Sequence, residues 1–338
     1  MVSEVNRIWR LRKRPVGDIT DDVLSFEEES IPEPSEGAFL FRLNYLSLDP
    51  TNRIWMSDMD QYMPPVELDA PMRGVVCGTV VKSHHPDYAE GAIVSGLGVW
   101  ADYQIGTPQI VSPMGDTRPV AVVDAFSTFT IVGPTAYFGL LDIGEPKEGE
   151  TVVVSAAAGA VGSIVGQVAK IKGCRVVGLA GTNEKCAWIQ DDLGFDVAIN
   201  YRTEDVPKTL TAACPDGIDV YFDNVGGEIL DACLKLMNFK GRIPTCGLIS
   251  QYNATEPVPG PYNYAMILMQ RLRVEGFIVL DFAERYPEAI ATLGQWMAEG
   301  KIKVRTEIVD GLENALQTVK KLYTGANTGK LMIRVKDV

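Results

Sequence analysis

The sequence predicts an α/β chain in which a doubly wound parallel sheet follows a separate β-rich segment. Three observations carry this. From Thr151 onward, short apolar runs alternate with helix-period segments. A glycine-bearing turn stands between the first such run and the first such helix. Residues 1–125 are instead strand-like and irregular, with proline and glycine at short intervals.

Taken in order, alternating runs at residues 38–46, 75–81 and 92–97 read as strands of a folded-over β domain. The character changes near residue 130. Strand candidates then fall at 151–155, 175–180, 196–200, 219–223, 242–247 and 274–280. Between the first two, AVGSIVGQVAKIK sets Val161, Ile164, Val165, Val168 and Ala169 on one helical face, and Gly173 stops it. A second helix, 184–193, is entered by Thr182 and Asn183 and ended by Gly194. The third is entered at Thr203 and the fourth runs 228–237. Six strands separated by helices imply a parallel sheet, because parallel neighbours need crossover connections. A helix at 286–300 then precedes strands at 304–309 and 331–335, so the tail is expected to rejoin the β domain.

A chain of 338 residues accommodates two domains, and 46% hydrophobic with 22% charged residues is ordinary for a soluble globular protein. No run approaches the roughly eighteen consecutive apolar residues of a membrane span. Arg10, Arg12, Lys13 and Arg14 are followed by no apolar core, so they read as the solvated edge of a first strand and not as a secretory leader. A cytoplasmic location is the default expectation. The six cysteines are scattered with no C-x-x-C pair, which fits reduced thiols and neither a disulfide frame nor a zinc cluster. A net charge of −13 argues against nucleic acid and anionic membranes as partners. Any anionic cofactor must therefore find its positive charge locally.

The strongest chemical signal is VVVSAAAGAVGS at 152–163. It places Ala157, Gly159 and Gly162 at the dinucleotide-fingerprint spacing, with alanine for the first glycine. Gly159 lets the backbone approach a pyrophosphate and Gly162 lets the helix pack closely. The helix beginning near Ala160 offers free amides and a positive dipole end. The alternative is a small-residue turn with no ligand; the preceding strand and following helix weigh against it. An NAD site puts a carboxylate about twenty residues on, at the end of the second strand. Gly181 stands there instead, leaving room for a 2′-phosphate, with Lys185 near enough to pair with it and Tyr201 and Arg202 following the third strand. Lys185 taken alone also reads as a solvated helix lysine. NADPH is the expected cofactor.

The two histidines, His84 and His85, are adjacent in a polar turn, and no cysteine close to Cys77 builds a metal lobe. No metal is expected, so carbonyl reduction loses its usual electrophile on this scaffold and hydride addition to an activated acceptor is the better expectation.

The segments LSLDPTNR (46–53), GPTAYFGL (133–140), SAAAGAVGS (155–163), NEK (183–185), FDNVGGE (222–228), CGLISQYN (246–253), GFIVLD (276–281) and TGANTGK (324–330) together make the resemblance specific. The chain resembles the zinc-independent medium-chain dehydrogenase/reductases, in the branch of prostaglandin reductases (leukotriene hydroxydehydrogenases) and curcumin reductase. The resemblance spans essentially the whole length. It implies a GroES-like β-rich catalytic domain at 1–128 and 301–338 and a Rossmann NADP-binding domain at 129–300. The implied activity is NADPH-dependent reduction of the carbon–carbon double bond of α,β-unsaturated ketones or aldehydes. Hydride goes to the β-carbon and a proton to the α-carbon, with the protein positioning the alkene and stabilising the developing oxyanion.

By the same resemblance Tyr252 is the catalytic hydroxyl donor, near that oxygen or the nicotinamide ribose. Lys185 and Tyr201 hold the 2′-phosphate, and Asn224 contacts the ribose–nicotinamide end. Phe277 and Val279 present backbone to the carboxamide, Thr135 lies beneath the ring region and Asn327 reaches the cofactor from the tail. Ala157, Gly159, Ala160, Val161, Gly162, Thr182 and Cys246 complete the implied cofactor-binding set. Tyr252 also reads as a loop tyrosine shielding the site, and Asn224 and Asn327 as turn residues. Prostaglandin reductases typically read D-P-Y-M-R where this chain has Asp49-Pro50-Thr51-Asn52-Arg53. Arg53, Trp55 and Tyr62 are the substrate-side candidates, the last two as replacements for the lost aromatic. The partner is thus a small molecule, an enone, enal or quinone. A quinone reductase and a catalytically idle NADPH-binding sensor are the rival readings. A homodimer built on the last Rossmann strand is implied, with residues 264–269 covering part of the contact.

Overall fold

The computed structural model describes residues 5–338. Met1–Glu4, the start of the segment read as lacking a secretory apolar core, lie outside the described residues. The chain divides into two compact units, one ending at Thr130 and resumed at Thr306–Val338, the other Ile131–Arg305.

The first unit opens with β1 (Val5–Leu11) and β2 (Leu24–Ser30), an antiparallel pair. Arg10 and Arg12 project from β1 and its end to carboxylates, Glu27 and Glu29 on β2 and Asp69 beyond it. There follow β3 (Phe39–Leu48), α1 (Thr51–Trp55), β4 (Arg73–Ser83), β5 (Ile93–Val99), β6 (Tyr103–Gly106), β7 (Val111–Pro113) and α2 (Val122–Phe129). β3 is buried almost throughout, which fits its run of apolar residues. His84 and His85 sit in the turn after β4, where His85 meets Tyr88 edge-on and its Nδ1 accepts the Asp87 amide at 3.1 Å.

The second unit begins with α3 (Val132–Phe138), continued by a π-helical segment at Gly139–Gly144. It goes on through β8 (Thr151–Val154), α4 (Ala160–Ile171), β9 (Arg175–Ala180), α5 (Asn183–Asp191), β10 (Val197–Asn200) and α6 (Val206–Ala213). Then come β11 (Ile218–Phe222), α7 (Gly227–Leu236), β12 (Met237–Thr245), α8 (Ala265–Met269), β13 (Arg273–Gly276) and α9 (Tyr286–Ala298). The six strands form a parallel sheet in the order β10-β9-β8-β11-β12-β13. That is the doubly wound order with the switch beside β8, the place where such sheets bind ligands at the carboxyl ends of their strands. Its core is fully buried, with Val153, Val177, Leu179, Ile199, Val220 and Tyr221 at no exposure.

The chain closes with β14 (Thr306–Asp310), α10 (Ala315–Thr324) and β15 (Lys330–Arg334). Within the first unit β15 pairs antiparallel with β3 and parallel with β14, completing a seven-stranded sheet.

Most element boundaries shift by a residue or two from the sequence expectation, and three of the differences have a visible cause. The third helix is capped by Asp205, whose carboxylate accepts the Lys208 amide at 3.1 Å, and not entered at Thr203, because the Asn200 carbonyl holds residues 203 and 204 in a turn. The fifth strand ends at Thr245, since the Cys246 and Gly247 amides turn to the Asp223 carbonyl. The sixth ends at Gly276, and Val279 opens a 3-10 helix at Val279–Arg285. There the Phe277 ring joins Phe222 and Phe282 in an aromatic cluster that takes the chain off the sheet.

Candidate functional site

The glycine turn is built as its spacing requires. β8 ends at Val154, Ala156 takes a left-handed φ of 49°, and the Ala157 amide donates to Leu179 on β9 at 2.9 Å. Gly159 is the N-cap of α4, and the first-turn amides of Ala160, Val161 and Gly162 have no acceptor within the helix. A Cβ on Gly162 would stand 2.4 Å from the Ala156 carbonyl oxygen, so only glycine lets helix and turn close. At Gly159 a Cβ would meet that same oxygen alone, at 3.1 Å, and Gly159–Val161 are half-exposed. A row of amides therefore faces outward at the positive end of a twelve-residue helix, a geometry suited to an anion.

At the end of β9 Gly181, Tyr201 and Arg202 lie close together. The point where a Cβ on Gly181 would stand lies 2.9 Å from the Tyr201 hydroxyl and 3.4 Å from Arg202 Nε. Tyr201 is delivered there by the hydrogen bond its amide donates to the Ala180 carbonyl at 3.1 Å, while Asn200 donates Nδ2 to Asn183 at 2.7 Å and orders the start of α5. Thr182 caps α5 by accepting the Lys185 amide at 3.3 Å, and Lys185 is half-buried on the same first turn. Glu184 points to solvent, and its carboxyl lies below the usual range because of its own backbone amide and Thr182. The sequence marks Arg202 only as a neighbour of Tyr201. The structure adds its guanidinium, 5.9 Å from the Tyr201 ring, to this group. A phenol and a guanidinium thus stand where an NAD site has an acid.

The carboxyl ends of β11 and β12 hold the next residues. Asn224 donates one Nδ2 hydrogen to the Ser155 carbonyl at 2.8 Å, which fixes the plane of its side-chain amide. The Cys246 amide is taken by the Asp223 carbonyl, and burial, then the nearby Asp223 charge, pushes its thiol up to about 12. Tyr252 accepts the Leu248 amide on its hydroxyl oxygen at 3.1 Å, so its phenol is engaged as an acceptor. Phe277 is held by its ring, and its amide donates weakly to Thr245 at 3.4 Å. Val279 is half-buried at the start of the 3-10 helix. Thr135 is half-exposed among buried residues of α3 and donates back to Ile131 at 2.6 Å.

In the other unit, α1 carries Arg53 and Trp55, and Tyr62 follows it. The Thr51 and Tyr62 hydroxyls are hydrogen-bonded, and Trp55 donates Nε1 to Tyr62 at 2.9 Å beneath the Arg73 guanidinium. The Tyr62 hydroxyl thus reaches Thr51, the position at which the resemblance has an aromatic. Arg53 is turned inward: it is 5% exposed and donates to the carbonyls of Pro15 and Gly17, both at 3.1 Å, and to Ser57. Its guanidinium is spent on the fold, and burial lowers its pKa. Asn327 donates Nδ2 to Gly329 at 3.1 Å in the turn before β15. Sequence reasoning missed the polar base of this segment. Lys330 and Asp49 form a buried ion pair, with Lys330 Nζ also donating to the Leu48 carbonyl at 3.1 Å and Ser47 donating to Asp49. The lysine is in the quoted TGANTGK run, but no local pattern tells a buried lysine from a solvated one.

Among the described residues no three His, Cys, Asp or Glu side chains lie together as metal ligands, and no helix is long and apolar enough to cross a membrane. Residues 7–114 match the family described as N-terminal domain of oxidoreductase, and residues 160–295 the one described as zinc-binding dehydrogenase. The chain is 48% identical to the NADPH-dependent curcumin reductase of Escherichia coli (strain K12), over 98% of this chain and 97% of that one. It is 39% identical to prostaglandin reductase 1 of Bos taurus, over 96% and 98%. The crystal structure of CurA from Vibrio vulnificus in complex with NADPH superposes with a TM-score of 0.94 at 43% identity, covering 98% of this chain and 100% of that one.

Proposed function

This chain belongs to the zinc-independent medium-chain dehydrogenase/reductases, in the branch of curcumin and prostaglandin reductases, and from that premise we propose that it reduces the carbon–carbon double bond of enones and enals with NADPH. The single observation that carries the cofactor reading is the Gly181–Tyr201–Arg202 group beside the open amides of α4. These residues fit the dinucleotide at both ends of its diphosphate half: amides for the pyrophosphate, phenol and cations for the 2′-phosphate.

When bound, the dinucleotide supplies the hydride for the β-carbon. The chain's part is to position and to stabilise charge. Lys185, Tyr201 and Arg202 hold the phosphate at the adenosine end. Asn224 presents its amide oxygen to the ribose–nicotinamide end, and Phe277 and Val279 present backbone there. Tyr62, braced by Trp55 and hydrogen-bonded to Thr51, is the substrate-side candidate of the other unit. Tyr252 is the hydroxyl that gives a hydrogen bond to the developing oxyanion. An acceptor bond from Leu248 polarises that hydroxyl and makes it a better donor.

The test follows reduced-nicotinamide absorbance with NADPH, then NADH, against enones, enals, quinones and saturated ketones. Turnover of enones with NADPH but not of saturated ketones is the expected result. Turnover with quinones alone would replace the reading by quinone reduction, the vinylogous form of the same addition. Binding without any turnover would leave a sensor. Tyr252→Phe should lower kcat on enones by about tenfold to a hundredfold at unchanged NADPH affinity; an unchanged kcat would remove Tyr252 from the chemistry.

The same proposal includes a homodimer through β13, supported by an edge strand exposed along its length and by the exposed Leu268 and Met269 of α8. Light scattering at working concentration decides it, a monomer mass being the adverse result. The six unpaired cysteines support a reducing compartment such as the cytoplasm, which cell fractionation would check.

A further inference from the structure

Asp223 follows β11 with its side chain at zero exposure. Its Oδ1 accepts the Tyr221 hydroxyl at 2.8 Å, the Val225 amide at 2.9 Å and the Gly226 amide at 2.8 Å. The main chain of Asp223 is equally occupied. Its amide donates to Pro244 at 2.9 Å, and its carbonyl accepts from Cys246 at 2.8 Å and Gly247 at 3.2 Å. Ser155 closes the set from the end of β8: its Oγ accepts the Asn224 amide at 2.9 Å, and its proton lies between the Phe222 carbonyl at 3.3 Å and Asp223 Oδ1 at 3.4 Å. The loop beyond Gly247 is tied in as well, since the Ile249 and Ser250 amides donate to Asn224 and Val225. One residue therefore joins the ends of three adjacent strands, and fully buried Tyr221 anchors it in the core.

The other carboxyl oxygen, Oδ2, is buried with no hydrogen-bond partner among the described residues. Burial holds the carboxyl above its usual range against the pull of its donors. A buried acceptor left unsatisfied is unfavourable, and such groups mark positions where geometry has been favoured over stability. What Asp223 holds in place is the Asn224 loop, the Cys246–Gly247 turn and the base of the Tyr252 loop.

We propose that Asp223 is a positioning residue for the nicotinamide half of the dinucleotide, clamping the Asn224 loop and the 246–252 loop into one geometry through Oδ1 and its own peptide group. This rests on the dinucleotide reading above. The acceptor at Oδ1 does the clamping; Asp223→Asn would preserve that acceptor and Asp223→Ala would remove it.

The experiment measures dissociation constants by calorimetry for two probes, NADPH and adenosine 2′,5′-bisphosphate, which carries only the adenosine half. Asp223→Ala should weaken NADPH by about tenfold or more while leaving the bisphosphate within about twofold, and Asp223→Asn should restore NADPH to within about threefold of the parent. Ser155→Ala should weaken NADPH in the same selective way, and it decides the matter if Asp223→Ala does not fold. Equal loss of both probes would overturn the proposal in favour of general structural damage. Unchanged NADPH binding in Asp223→Ala would overturn it outright, and an Asp223→Asn as impaired as Asp223→Ala would show that charge and not acceptor geometry is used. Failure of the parent protein to bind either probe would instead strike the dinucleotide reading itself.

Discussion

The Tyr201 hydroxyl stands 2.9 Å from where a Cβ on Gly181 would project, so the end of β9 and the end of β10 share one small polar site. A carboxylate introduced at position 181 would press on that phenol and oppose a 2′-phosphate. Gly181→Asp should cut the preference for NADPH over NADH by about a hundredfold, on the order of 3 kcal/mol. Arg202→Ala should raise KM for NADPH by about tenfold with KM for NADH unchanged. The ratio of kcat/KM for the two cofactors reads both, and equal effects on the two cofactors would dismiss a 2′-phosphate site here.

The two glycines of the turn should separate binding from folding. Gly162→Ala brings a methyl to 2.4 Å from a main-chain oxygen and should destabilise the protein by about 2 kcal/mol, measured by urea unfolding. Gly159→Ala meets that oxygen only at 3.1 Å and should fold with nearly parental stability while losing NADPH affinity by about tenfold. Equal stability of the two variants would contradict the close approach at Gly162.

Removing one partner of the Lys330–Asp49 pair leaves a charge where both side chains are at most 10% exposed. Lys330→Met should therefore cost about 3–5 kcal/mol in denaturant unfolding. The double variant Lys330→Met with Asp49→Asn should recover most of that loss. A loss below about 1 kcal/mol in the single variant would mean that water reaches the pair.

Glu150 and Arg242 are joined by two hydrogen bonds, one of them 3.1 Å long, with both side chains less than 20% exposed. Burial raises the Glu150 carboxyl, but the bonds from Arg242 and from the Lys147 amide outweigh it and hold the pKa below its usual value. A depressed folded-state pKa contributes stability above the unfolded value, about 4.3, and that contribution is lost as pH falls through the folded value. Glu150→Gln should thus be less stable than the parent at neutral pH by about 2 kcal/mol, with the gap closing below about pH 4. A gap that does not change between neutral and acid pH would assign the loss to shape and not to charge.

Much of the second unit could be read from local pattern because its signals are local. The fingerprint at 152–163, the β-strand and helix periods, and the absent acid at Gly181 all lie within a few residues of what they specify. Arg53 shows the opposite case. Its position in a substrate-side segment invited a substrate role, but its guanidinium turns to the Pro15 and Gly17 carbonyls, and nothing in the 46–53 segment announces them. Tyr62 could be offered only as one of two substitutes for a missing aromatic. Its hydroxyl contact with Thr51 depends on how the chain after α1 folds back.

By itself the sequence determined the order of elements, the phosphate-binding turn, the kind of cofactor and the family, since each rests on residue types at fixed short spacing. Tertiary structure alone decided which polar groups remain to be offered. The Asn224 side-chain amide is oriented by the bond from its nitrogen to Ser155, and Arg202 joins Tyr201 at Gly181 because the third strand delivers them beside the second. Asp223 becomes a clamp only when three strands end side by side. Hydrogen-bonding capacity is finite, and which part of it the fold consumes is settled by long-range neighbours that no local pattern names.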